Sequence, residues 1–434
     1  MSSETRVVIA GGGMAGARLA QQLAARAGFS VTVIGEEPHP AYNRVLLAEV
    51  LAGQYPAEVI ALPGPPAGVT WRSGVRVVRV DRAERRVVCD DGSLAGYDVL
   101  VLATGSNPVL PPLRGLFEPE GHDLPEGVHP FRTMDDSLAL GAAVRPGTRA
   151  VVIGGGLLGV SAARALAHRG AQVVLAQRGE QLMERQLDAA ASALLRRHLG
   201  ERGVEVHTEC QVRAVLAGDG PGRPVRAVEL ADGYRLEADL VVLACGVRPR
   251  VGLAQAAGLE VRRGIVVDDR LRTADPRIHA IGDCAEHAGV LYGLAGAAQE
   301  QADVLARVLA EDADGRHGDG SGNGSGPGSP AARYTGTRAL TRLTLAESPA
   351  GPAPAPLDLA AFGDTVPEPG DDVVHLADAT RGAYRKLVVR GDRLKGGILL
   401  GDLGSVGVLA RTWEGDEPLP SSPLLHLLTH DGGY

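Results

Sequence analysis

Aromatic residues make up only 3% of this 434-residue chain, and cysteines number four: Cys89, Cys210, Cys245 and Cys284. No two stand in a C-x-x-C pair. That argues against a redox-active dithiol, a cysteine-ligated iron–sulfur cluster and a structural zinc. Scattered single cysteines suit a reducing cytoplasm. Positive charge is also short, with 44 Lys and Arg against 52 Asp and Glu and a formal net charge of −8. A nucleic-acid partner would favour an excess of cations, so the balance gives it no support. Long apolar runs are missing as well. None is long enough to span a bilayer, and the apolar segment from Val7 to Ala20 is interrupted by glycines and Arg18 without a basic segment before it. The expectation is a soluble cytoplasmic protein that does not engage a membrane. The 12 histidines show no metal-ligand spacing; His426 and His430 are four apart, but in a tail that reads as irregular.

Glycine, by contrast, is abundant, with 59 residues. Six of them form two G-x-G-x-x-G fingerprints. Gly11, Gly13 and Gly16 follow the apolar run Arg6-Val7-Val8-Ile9-Ala10, and Gly154, Gly156 and Gly159 follow Ala150-Val151-Val152-Ile153. Each fingerprint opens an alanine-rich helix, the first through Met14 and Ala15, the second through Leu157 and Leu158, and each leads to a second strand. One such loop alone is weak evidence. In this context the glycines let the backbone turn tightly and approach a pyrophosphate, whose charge sits at a helix N-terminus. Two such sites imply two dinucleotides, which points to flavin plus nicotinamide chemistry. The length allows two or three domains.

Strand-like pieces follow the first unit at residues 75–81 and 86–89, with a turn at Asp91-Gly92. The run from Tyr97 to Gly105 reads as a strand buried on both faces, and prolines at 108, 111 and 112 mark a crossover. The second unit closes on the similar run Ala238 to Gly246. The chain then returns through residues 264–268 and 278–283 to a helix expected over 294–309. The Gly/Ser/Asp-rich residues 311–332 read as a flexible linker. Beyond them, residues 338–345, 384–389 and 396–400 suggest a small, mainly β domain with helical pieces.

The order of fingerprint, Ala103-Thr104-Gly105, second fingerprint and Ile281-Gly282-Asp283-Cys284-Ala285 resembles the FAD-dependent pyridine-nucleotide oxidoreductase superfamily. The segment from Glu36 to Leu47, with Phe131-Arg132-Thr133, Leu182 to Asp188 and Tyr334-Thr335-Gly336, is similar to the flavin portion of assimilatory NAD(P)H nitrite reductase large subunits. Nitrate reductase electron-transfer subunits and rubredoxin reductases share that layout. The resemblance implies an α/β fold: two Rossmann-like three-layer domains for FAD and NAD(P) plus a small α+β C-terminal domain. The boundaries expected are 1–113 with 247–310 for FAD, 114–246 for NAD(P)H, the linker 311–332, and an interface domain over 333–434. It further implies that Ala103, Thr104, Gly105, Gly246 and Gly282 line the cofactors, that Asp283 bonds the ribityl chain, and that Arg132 contacts the flavin. Val77 would meet adenine through its backbone, Arg44 would lie along the pyrophosphate, and the helix beginning at Ala295 would aim its positive end at the flavin's pyrimidine edge.

Read from the residues, Glu36 ends the second strand, where a carboxylate can accept both hydroxyls of an adenosine ribose. The matching position in the second unit is Arg178, preceded by Gln177. A guanidinium there can hold a 2′-phosphate that a carboxylate would repel, which favours NADPH over NADH; an exposed arginine with NADH still accepted is the bland alternative. Two departures stand out. Relatives carry a Lys where this chain has Glu49 and a Glu where it has Ser161, and in them the two pair beside the flavin. The expectation is that the pair is lost here. Cys284 beside Asp283 reads as packing, His39 as a turn residue, and no residue is assigned as catalytic.

These features suggest a reductase passing electrons from NAD(P)H through FAD to a protein acceptor: a nitrite or nitrate reductase subunit, a rubredoxin or a ferredoxin. Nitrite reductase large subunits continue into cysteine-rich segments absent before Tyr434, so the chain is not expected to reduce nitrite alone. An NAD(P)H oxidase is a second reading. The missing cysteine near residue 43 counts against peroxide as its oxidant. A flavin-binding structural or regulatory protein, favoured by the lost Lys–Glu pair, is a third.

Overall fold

In the first unit the run of β-branched and apolar residues Val7, Val8 and Ile9 has no solvent-facing side, so Thr5–Ala10 becomes the middle strand of a parallel sheet. The order across that sheet is Ile278–Ala280, Val99–Leu102, Thr5–Ala10, Phe29–Gly35, Val69–Ser73, all parallel. Helices Met14–Ala24 and Ala295–His317 pack on each other against it, with Leu19, Leu23, Leu305 and Leu309 in one core with Ile9 and Leu100. The second unit repeats the plan: Val204–His207, Gln172–Ala176, Arg149–Ile153, Leu240–Leu243, Val128–Pro130, again all parallel. The computed structural model describes residues 4–117, 121–219, 222–317, 331–338, 340–345, 357–378, 380–401, 403–419 and 428.

The chain divides into two compact units. One comprises residues 1–45, 57–107 and 247–337, the other residues 46–56, 108–246 and 338–434. Residues 338–434, expected to form a separate interface domain, are grouped here with the second unit, and the bounds differ from those expected in three further places. Residues 46–56 join the second unit because helix Leu47–Ala52 packs on helices Met134–Ala143 and Leu157–His168, and Ser137 Oγ donates to the Leu47 carbonyl at 3.0 Å. Residues 108–113 join it too. Residues 333–337 stay with the first unit, where Tyr334 is fully buried and its N–H donates to the Asp269 carbonyl at 2.7 Å.

The helix expected over 294–309 runs from Ala295 to His317, into the segment read as linker. Its acidic end has partners: Arg270 pairs with Glu311 at 3.1 Å and with Asp312 at 2.7 Å. Residues 318–330 of that linker, like His426 and His430, lie outside the described residues. In the second unit an antiparallel sheet, Leu340–Leu345, Leu357–Gly363, Arg393–Leu400, Ala383–Arg390, Asp372–Asp378, carries helix Val406–Glu414. Phe362, Leu387, Leu409 and Trp413 fill its core. Among the described residues no helix is long and apolar enough to cross a membrane.

Candidate functional site

A parallel sheet brings the carboxyl ends of its strands to one edge, and nearly every residue singled out in the sequence follows such an end. In the first unit the fingerprint follows Ala10, Glu36 follows Gly35, Ala103-Thr104-Gly105 follows Leu102, and Gly282-Asp283 comes just after Ala280. In the second, the fingerprint follows Ile153, Gln177-Arg178 follows Ala176, and Gly246 comes soon after Leu243. Arg132 follows Pro130 and so belongs to the second unit, where its N–H donates to Asp136 Oδ2 at 2.8 Å beside the capping box of helix Met134–Ala143.

The two fingerprints have the same steric logic. Gly11 and Gly154 adopt φ of +127° and +113°, and an added Cβ would collide with the carbonyl oxygens of Ala103 and Ala244. A Cβ on Gly16 or Gly159 would strike the carbonyl of Gly11 or Gly154, so helix and turn can approach only without it. Gly13 and Gly156 differ: a Cβ there meets no protein atom within 4 Å. Both are helix N-caps without a side-chain capping bond. Each loop therefore presents uncapped helix N–H groups to open space, the cradle that a diphosphate fits.

Around the first loop, the Glu36 carboxylate accepts from Arg250 and lies 3.8 Å from Arg76 Nη1. Arg44 pairs with Glu37 at 2.6 Å and stacks over Tyr42 at 5.0 Å, while the Tyr42 hydroxyl donates to Glu37 at 2.6 Å. Burial alone would lower the Arg44 pKa, but Tyr42 and Glu37, with a contribution from Asp283, hold it above its ordinary value. Arg44 is thus a fixed cation whose field reaches Asp283. Ser106 Oγ donates to Asp283 Oδ2 at 2.8 Å, and the Gly282 N–H donates to buried Gln301 at 2.7 Å. Val77 opens strand Val77–Asp81 close to Glu36, because Val75 N–H donates to the Gly35 carbonyl at 3.0 Å. Ala295 is the first residue of its helix. Cys284 is fully buried and its Sγ donates to main-chain carbonyls, consistent with packing.

The second loop confirms the alignment of Arg178 with Glu36. Register pairs Ala10 with Ile34 and Ile153 with Ala176, so Gly35 matches Gln177 and Glu36 matches Arg178. Gln177 Oε1 accepts from the Gly155 N–H at 2.8 Å and its amide donates to the Gln181 carbonyl at 3.2 Å, so this side chain braces the loop. Arg178 is exposed, and no carboxylate pairs with it among the described residues. Leu157 and Leu158 stand half-buried in the first helical turn, and the Gly246 carbonyl accepts from Val109 N–H at 2.9 Å.

The Lys–Glu pair of positions 49 and 161 is absent, but a different ion pair joins the same two helices. Ser161 Oγ does turn back to the Leu157 carbonyl at 2.8 Å. One helical turn further on, however, Arg164 donates to Glu49. Their side chains are 3% and 14% exposed. An ion pair between these helices is therefore present with its polarity reversed, the acid on Leu47–Ala52 and the base on Leu157–His168. An arginine on an alanine-rich helix carries no sequence mark of burial, which is why Arg164 was missed.

Over residues 5–302 the chain matches the family described as pyridine nucleotide-disulphide oxidoreductase. It is 34% identical over 403 residues to a nitrite reductase (NAD(P)H) of Bacillus subtilis (strain 168), covering 92% of this chain and 46% of that protein. It is 33% identical over 403 residues to the assimilatory nitrate reductase electron transfer subunit of the same organism, covering 92% and 48%. The chain thus spans about half the length of these curated relatives. Among solved structures, the covalent putidaredoxin reductase–putidaredoxin complex superposes with a TM-score of 0.81 at 25% identity, covering 98% of this chain and 99% of that one. With its paired fingerprints and paired parallel sheets, the chain belongs to the pyridine nucleotide-disulphide oxidoreductase family, a family of FAD- and NAD(P)H-dependent reductases.

Proposed function

We propose that this chain carries electrons from NADPH through FAD to a partner protein. One observation supports the choice of nucleotide above the others: Arg178, exposed and without a carboxylate partner among the described residues, occupies in the second unit the position that Glu36 takes in the first. A carboxylate accepts ribose hydroxyls and repels a 2′-phosphate, whereas a planar guanidinium binds that phosphate through two parallel hydrogen bonds.

In this reading FAD lies on Gly11, Gly13 and Gly16 with its diphosphate at the first turn, Met14 and Ala15. Glu36 takes the ribose, Val77 meets adenine, and Arg44 neutralises the diphosphate. Ala103, Thr104, Gly105, Gly282 and Asp283 hold the sugar chain; Ala295 faces the flavin ring. NADPH lies on Gly154, Gly156 and Gly159 with Leu157, Leu158, Gln177, Arg178 and Gly246 around it. FAD, when bound, supplies the conversion of an electron pair into single electrons. The side chains contribute position and charge; none is assigned as an acid or base.

The acceptor we favour is a nitrite or nitrate reductase subunit, with a rubredoxin or ferredoxin as the other candidate. It rests on the resemblance to an electron transfer subunit and to a reductase solved in complex with putidaredoxin. Four free thiols suit a cytoplasmic setting. Anaerobic titration of the FAD-loaded protein tests the proposal. NADPH should bleach the visible flavin band at a lower concentration than NADH; no bleaching by either nucleotide would overturn it.

A further inference from the structure

Arg250 lies four residues past Gly246, and its main chain is fastened on both sides. Its N–H donates to the Gly105 carbonyl at 2.9 Å, and its carbonyl accepts from Thr104 Oγ1 at 2.8 Å. Thr104 and Gly105 follow the carboxyl end of Val99–Leu102. Its side chain ends elsewhere: Nε donates to Asn107 Oδ1 and Nη1 to Glu36 Oε2. Glu36 follows the end of Phe29–Gly35. In the sheet, Thr5–Ala10 runs between those two strands. A side chain rooted at one outer strand and bonded at the other must cross the carboxyl end of the middle one. That is where Gly11–Gly13 turn into helix Met14–Ala24. Arg250 therefore spans the mouth of the first fingerprint.

We propose that Arg250 is a diphosphate-binding residue of the first dinucleotide site, a cationic clip across the fingerprint opposite the helix N-terminus. The inference rests on reading the first unit as the flavin site. Glu36 has two cations near it, because Arg76 Nη1 approaches its other oxygen at 3.8 Å, while Arg76 Nε lies 3.8 Å from Asp90 Oδ2. When Glu36 turns its oxygens to ribose hydroxyls, Arg250 retains unused donors among its five N–H groups. The nearest anion a dinucleotide brings to Gly11–Gly13 is its diphosphate. The fastened main chain lowers the conformational cost of presenting the guanidinium there. Uncapped helix N–H groups on one side and a guanidinium on the other match a doubly charged diphosphate better than a neutral group.

The test is FAD affinity, read from flavin fluorescence as FAD is titrated into the flavin-free full chain. Arg250→Met should raise the dissociation constant about tenfold or more and flatten its dependence on salt. Arg250→Lys, which keeps the charge without the fork, should fall between the two. Arg248→Met removes an exposed charge two residues away and should bind like the wild type. Thermal melting of each flavin-free variant separates loss of binding from loss of fold, and Arg250→Lys keeps the comparison open if the methionine variant melts early. Wild-type binding with unchanged affinity in both Arg250 variants would overturn the inference alone, as would an equal loss in Arg248→Met. Failure of the wild type to bind FAD would overturn the reading of the flavin site itself.

Discussion

Glu49 accepts from Arg164 across two helices, and both side chains are largely withdrawn from water. Glu49 Oε2 and Arg164 Nε and Nη1 make no further hydrogen bond among the described residues, so the pair has no second partner to fall back on. Glu49→Gln should destabilise the second unit by about 3–5 kcal/mol, because it strands a buried guanidinium. Replacing both residues together by leucine should recover much of that loss. Denaturant unfolding of the two variants decides the matter: a single variant as stable as the wild type would contradict the account. The identities of Glu49 and Ser161 were legible in the sequence, but their consequence was not. Arg164 stands three residues beyond Ser161, and only the packing of Leu47–Ala52 on Leu157–His168 shows that it faces Glu49. Arg250 was hidden for a similar reason, since its partner Glu36 is 214 positions away.

Elements built on the fingerprints were the most legible, because each glycine answers a local steric demand. That demand makes a sharp contrast between neighbouring positions. Gly156→Ala has open space and should leave the fold stable while weakening nucleotide binding, whereas Gly159→Ala must push helix from turn and should lower the melting temperature itself. Equal melting temperatures for the two variants would contradict this division. The C-terminal sheet was legible only in part. Strands Leu340–Leu345, Ala383–Arg390 and Arg393–Leu400 announce themselves by apolar runs, but Asp372–Asp378 is mostly exposed and lacked that signal. This sheet is tied to the nucleotide-binding part of its unit through Asp188. Asp188 caps helix Ala189–Gly200 and accepts from Tyr384 at 2.6 Å and Lys386 at 3.0 Å. Burial pushes its carboxyl pKa up, but bonds from Tyr384, Ala191 and Lys386 outweigh this and hold it below the usual value. A depressed carboxyl stabilises the fold above its unfolded pKa, about 3.9, and that contribution fades as the pH falls through the folded value. Asp188→Asn should therefore weaken the C-terminal sheet at neutral pH and abolish its acid dependence at this contact, measured by proteolysis of the sheet across pH.

For the whole molecule, two buried histidines set an earlier acid limit. Burial, reinforced by Arg202 beside His198 and by Arg272 beside His279, lowers both pKa values to about 4. The unfolded chain takes up these protons near pH 6.5, so the folded state loses stability as the pH falls from about 6.5 to about 4. Replacing His279 by Gln should flatten the melting temperature over that window; an unchanged slope would show that other groups govern it. In the function proposed here, one carboxylate, Glu36, and one guanidinium, Arg178, at matching strand ends direct the two loops to different dinucleotides. The most direct test compares anaerobic flavin reduction by NADPH and by NADH in the wild type and in Arg178→Glu. The account predicts a preference for NADPH that falls by about 10- to 100-fold and passes to NADH in the variant, the effect of losing a charged bidentate contact. A nucleotide preference that Arg178→Glu leaves unmoved would contradict it.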